Sequence, residues 1–150
     1  ILKRIEAQTG PGDELEDGAR AVDFALSLPD PPTAIYMTHS MSSLGAMRRL
    51  LERGLRVPED VSIVGLDDCD SRLLTHPRMT CVRQDSYDMA YRASRWLART
   101  LESPGAPLRE VVSGLFEVNQ TTSLAPDIPV RVLPDGRLAL GNDTRTPQGL

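Results

Sequence analysis

Val57-Pro58-Glu59-Asp60-Val61-Ser62-Ile63-Val64-Gly65-Leu66-Asp67-Asp68 reads as a turn, a strand and two carboxylates where the strand ends. Val61, Ile63, Val64 and Leu66 are apolar and partly β-branched, which suits a strand covered on both faces. Gly65 lets another backbone or a ligand come close. Asp67 and Asp68 then stand at the carboxyl end of that strand, the side on which open α/β sheets bind small ligands.

The segments on either side extend the pattern. Asp13 followed by Glu16 has the spacing of a helix N-cap, and Leu15, Ala19, Val22 and Leu26 recur at helical spacing. Pro29-Asp30-Pro31-Pro32 ends that helix, because proline lacks the donor its interior needs. Residues 33–38 read as a short buried strand and 42–53 as a second helix, with Leu44, Met47 and Leu51 on one face and Gly54 as its left-handed stop. A third strand is predicted over 80–84. Asp85 then caps a third helix, to about 102, with Met89, Ala93, Trp96, Leu97 and Leu101 on its apolar side. A last strand is predicted over 110–118 and a hairpin over 130–140 about Pro134-Asp135-Gly136. Residues from Gly141 are polar and are expected to be disordered. Strand and helix in alternation with tight turns imply an α/β fold on a parallel sheet.

Composition narrows the function. The 150 residues suit one domain, and 40% hydrophobic with 4% aromatic residues means a core packed mainly by aliphatic side chains. A net charge of -4 opposes a stand-alone nucleic-acid binder, which needs a basic face. Cys69 and Cys81 lack metal-site spacing and read as free thiols in a reducing, cytoplasmic setting. No apolar run approaches the ~20 residues that span a bilayer. Phosphate-binding glycine loops, nucleophile elbows and catalytic-metal spacings are missing too, so neither an enzyme nor a cofactor is expected.

If the strands are parallel, their carboxyl ends share one edge. Thr38-His39-Ser40, Asp67-Asp68 and Gln84-Asp85 would meet there. Such an edge suits hydroxyl-rich or amine-bearing molecules: Asp67 accepts from vicinal hydroxyls, and Gln84 both donates and accepts. Each residue also has a plainer reading. Asp67 could cap a loop, His39 could be a satisfied loop histidine, and Gln84 could serve the backbone alone.

Pro32-Thr33-Ala34-Ile35, Ser43-Leu44-Gly45-Ala46-Met47, the long block from Gly54 to Asp68, and then Pro77, Thr80 and Val82-Arg83-Gln84 resemble the LacI/GalR (lactose/galactose repressor) family. The resemblance runs from about Thr9 to Pro126 and is most specific around Asp67. It implies a bacterial transcription regulator whose sensor is periplasmic-binding-protein-like (type I), with two α/β subdomains around a ligand. Residues 1–126 would be the C-terminal part of that sensor and 127–150 a tail. Residues 85–113 would pack on an N-terminal subdomain absent from this chain.

The implied partners are a small effector, a carbohydrate or related metabolite, and a second copy of the chain. Operator DNA would be reached only through an N-terminal headpiece, so no residue here is assigned to DNA, a metal or a membrane. Asp67 matches the aspartate that hydrogen-bonds the effector. His39 takes a position usually held by asparagine, and Gln84 matches a glutamine near the hinge. Ser86 stands where some members place a ring against the sugar. The outer face of the second helix and the loop near 73–76 imply a dimer interface with Ser43, Met47, Leu50 and Leu74, unless that helix merely packs on the sheet. A sugar-binding protein of a transport system is the alternative on the same fold.

Overall fold

The computed structural model describes residues 13–67, 76–102, 105, 107, 109–127, 131–132 and 138–139. Helix α1 (Glu14–Ser27) starts where the capping pattern placed it: the Asp13 carboxylate accepts from the backbone N–H of Glu16 at 3.2 Å. Strand β1 (Ala34–Tyr36) and helix α2 (Ser40–Glu52) follow, then β2 (Ser62–Leu66) and β3 (Thr80–Arg83). Helix α3 (Ser86–Glu102) leads to β4 (Leu115–Glu117), and β5 (Arg131–Val132) and β6 (Leu138–Ala139) complete the elements. The last two pair antiparallel, as the hairpin reading expects, although its turn at 134–136 lies outside the described residues. Residues 141–150 lie outside them as well.

The main sheet has the order β1-β2-β3-β4. β1, β2 and β3 are parallel, with Ile35 opposite Ile63 and Gly65 opposite Cys81. β4 departs from the all-parallel expectation and pairs antiparallel with β3, Leu115 opposite Arg83. It is also shorter than the stretch 110–118 predicts. The cause is α3, which has no buried residue and so does not carry the chain back along the sheet. The chain therefore re-enters from the carboxyl edge, where a Cβ on Gly114 would lie 3.1 Å from the Arg83 carbonyl oxygen.

Both α1 and α2 cover one face. Val22, Leu26, Ala46, Met47 and Leu50 pack with Leu55, Val57, Val61, Ile63 and Met79 into the core. The helices approach through glycine: a Cβ on Gly45 would lie 1.7 Å from the Leu15 carbonyl oxygen, and one on Gly18 would lie 2.0 Å from that of Ser42. Ion pairs from Glu16 to Arg48 and Arg49, and from Asp23 to Arg53, line the outside of this contact. α2 stops at Gly54 (φ +75), with Leu55 N–H bonded to the Leu50 carbonyl at 3.1 Å and Gly54 N–H to that of Leu51 at 2.9 Å.

Four sequence expectations are corrected here. The buried stripe of α2 is Ser43, Ala46, Met47 and Leu50, whereas Leu51 is 45% exposed and Leu44 only half-buried. Ser43, Met47 and Leu50 therefore serve the chain's own core and do not lie on an outer dimer face. β1 is an edge strand, with Tyr36 54% exposed. β2 is not sealed on both faces either. Val64, Leu66 and Val82, on the side away from the helices, are half-buried, and Phe116 is 56% exposed.

Residues 119–123 tie the starts of β2 and β3 together as a polar strap. Thr121, fully buried, donates its hydroxyl to the Ile63 carbonyl (2.6 Å) and accepts from the Thr80 N–H (2.8 Å). Its own carbonyl accepts from Ile63 N–H at 2.8 Å, and Asn119 N–H reaches the Thr80 hydroxyl at 2.9 Å.

Candidate functional site

Parallel pairing sets the carboxyl ends of β1, β2 and β3 on one edge, with β2 between the other two. Asp67 follows β2 directly. Its N–H still bonds the Val82 carbonyl of β3 at 2.8 Å, but its φ of +54 turns the chain out of the sheet. A non-glycine residue rarely takes that conformation, although aspartate tolerates it better than most. The turn brings the carboxylate against the end of β3. Oδ1 accepts from the Gln84 backbone N–H at 2.8 Å, and Oδ2 accepts from Gln84 Nε2 at 2.7 Å.

A carboxylate has about four lone-pair sites. Gln84 engages one on each oxygen, which leaves acceptor capacity for a ligand's hydroxyl or ammonium hydrogens. Asp67 is half-buried and Gln84 exposed, so the pair is held by the fold and still open to solvent. Asp85, the next residue, caps α3 through its carboxylate and the Asp88 N–H at 2.9 Å. Further along, Arg92 bonds Asp88 (2.8 Å) and Glu110 (3.2 Å); the Asp88 bond and then the Glu110 bond raise its pKa above the ordinary arginine value.

His39 stands at the same edge, after β1, as the N-cap residue of α2. Its carbonyl accepts from the N–H and hydroxyl of Ser43, at 2.9 and 2.7 Å. Its half-exposed imidazole lies with Nδ1 3.4 Å from Glu14 Oε2. The structure thus unites Asp67 and Gln84, while His39's polar contact is to Glu14 at the start of α1. A depression of about 300 Å³ opens beside that pair, lined by Asp13, Glu14, Leu15 and Met41. Another, of about 370 Å³, lies along α3 between Asp88 and Arg99. Asp68, Cys69 and Leu74 lie outside the described residues. Gly65 admits neighbours but not a ligand: a Cβ there would lie 2.6 Å from Met79 Sδ and 3.0 Å from Ser43 Oγ.

Sequence reading missed two things. The Glu14–His39 contact is one, because contacts between helix starts have no signature in spacing. The role of 119–123 was also unread; its run of Asn, Gln, Thr and Ser was the only cue.

Comparison with known proteins agrees with the fold. Residues 3–121 match the periplasmic binding protein-like domain. The transcriptional repressor CytR of Escherichia coli is 37% identical over 78 residues, 52% of this chain and 23% of CytR. A LacI transcriptional regulator from a Rhodococcus species superposes with a TM-score of 0.68 at 29% identity, over 75% of this chain and 41% of that one. The regulator CelR, solved in complex with cellobiose, superposes at 0.65 with 30% identity, over 71% of this chain and 33% of CelR. The chain spans less than a third of the length of the curated repressors it matches. No helix among the described residues is long and apolar enough to cross a membrane. The chain belongs to the periplasmic binding protein-like domain family, as a sensing-domain portion of the LacI/GalR type.

Proposed function

We propose that this chain is the effector-binding and dimerising region of a cytoplasmic LacI-type regulator, with Asp67 as the anchor for a carbohydrate or related polyhydroxy metabolite. The observation that carries this is the Asp67 carboxylate, turned out at the carboxyl end of the central parallel strand and pinned with acceptor capacity left over. His39 and Gln84 flank it. The cellobiose bound by CelR makes a sugar the first class to test.

The mechanism is a population shift between two sensor geometries, in which the effector binds one better than the other. The effector should change operator affinity by about 5–150-fold, and operator should change effector affinity by the same factor. Operator contact belongs to a headpiece outside this chain. For dimerisation, Leu74 and the exposed Met41 and Leu51 of α2 replace the three core residues as interface candidates.

Calorimetric titration of the regulator with cellobiose and a panel of mono- and disaccharides tests the reading. One of them should bind, and Asp67→Ala should abolish its heat. Saccharides that all fail, while another metabolite class binds through Asp67, would replace the carbohydrate assignment. Binding unaffected by Asp67→Ala would remove the anchor.

A further inference from the structure

We infer that Gln84 is a positioning residue: it fixes the Asp67 carboxylate for the effector and does not itself contact the effector. This rests on the assignment of Asp67 as the anchor. Three hydrogen bonds tie residue 67 to β3 and its end: Asp67 N–H to the Val82 carbonyl, Gln84 N–H to Oδ1, and Gln84 Nε2 to Oδ2. The two that reach the carboxylate come from one residue, one to each oxygen. A carboxylate held by a single donor can rotate about its Cβ–Cγ bond, but two donors at a fixed separation hold its plane. The left-handed backbone at Asp67 makes this fit possible, because it carries the side chain across to β3 instead of continuing along β2.

The Gln84 side chain spends an Nε2 hydrogen on this bond, directed at Asp67 rather than at an incoming ligand. Its length matters as well. Asparagine is one methylene shorter and would keep the backbone bond while failing to span to Oδ2. Glutamate would set a second carboxylate against Asp67 and repel it. The same residue leads straight into the Asp85 cap, so the clasp also ties the anchor to the start of α3.

The test has two readouts on the ¹⁵N-labelled regulator. The first needs no ligand. The Gln84 side-chain amide pair should shift and lose its slow-exchange character in Asp67→Ala. An unmoved pair overturns the inference, whatever the protein binds. The second is a double-mutant cycle with cellobiose as probe. Gln84→Leu should weaken binding about tenfold when Asp67 is present, the scale of one hydrogen bond to a charged group. It should have no further effect in the Asp67→Asn background. A tenfold loss in both backgrounds means direct contact with the ligand and overturns the positioning role. Absence of cellobiose binding to the unaltered regulator counts against the proposed sugar, while the amide result still decides the clasp.

Discussion

Thr121 shows how one hydroxyl can join three segments. Fully buried, it donates to Ile63 and accepts from Thr80, tying the starts of β2 and β3 together. Thr121→Val keeps the shape but strands the Thr80 N–H, and an unsatisfied buried donor costs about 1–3 kcal/mol. Urea denaturation should show that loss. Thr121→Ser keeps both bonds and gives up a methyl group, at about 1 kcal/mol. A Thr121→Val variant as stable as the unaltered chain, with Thr121→Ser weakened, would mean that packing, not hydrogen bonding, holds the strap. Asp67 is the opposite kind of residue, since its unusual backbone turns its carboxylate out at the strand end rather than into the core.

At the scale of elements, the α1–α2 contact depends on absent side chains. Gly45→Ala would gain about 1 kcal/mol in helix propensity. Its methyl, however, would sit 1.7 Å from a backbone oxygen, which no rotamer can relieve. Overpacking of this kind costs about 1–3 kcal/mol, so the variant should be net destabilised, with a lower midpoint in thermal or urea melts. Gly54→Ala has open space around it but a φ of +75, and should cost about 1–2 kcal/mol through the left-handed backbone alone. A stabilised Gly45→Ala would show that the helices separate at little cost. The Glu16 and Asp23 ion pairs are partly exposed and add at most about 1 kcal/mol each, too little to compensate.

For the molecule as a whole, α3 leaves an apolar surface open. Leu101 is 80% exposed and Leu97 53%, and Tyr87 and Tyr91 stack on one another in the open. An apolar face of that kind drives association unless another body covers it. The resemblance to LacI/GalR sensors implies an N-terminal subdomain as that body. The isolated chain should therefore self-associate in sedimentation velocity as concentration rises. Leu97→Glu combined with Leu101→Glu should return it toward monomer without changing its melt. A concentration-independent monomer in the unaltered chain would contradict the reading.

Local chemistry was enough to place most elements. The Asp13 and Asp85 caps, the proline stop after α1, the glycine stop after α2 and the β-branched run of β2 each act within a few residues, so they are legible in sequence. So was Asp67, because the strand before it and the alternation of strand and helix imply which edge it occupies. The facts that depend on distant packing were not legible. The α2 stripe turned out to be Ser43, Ala46, Met47 and Leu50, because the glycine contact with α1 sets the helix rotation, and hydrophobicity alone favours Leu51. β4 runs antiparallel because α3 stays off the sheet. By itself the sequence determined most elements, their order and the carboxylate at the end of the central strand. Only the tertiary structure decided which faces are buried and that Gln84 clasps Asp67 while His39 turns to Glu14, since those contacts join residues that spacing along the chain does not relate.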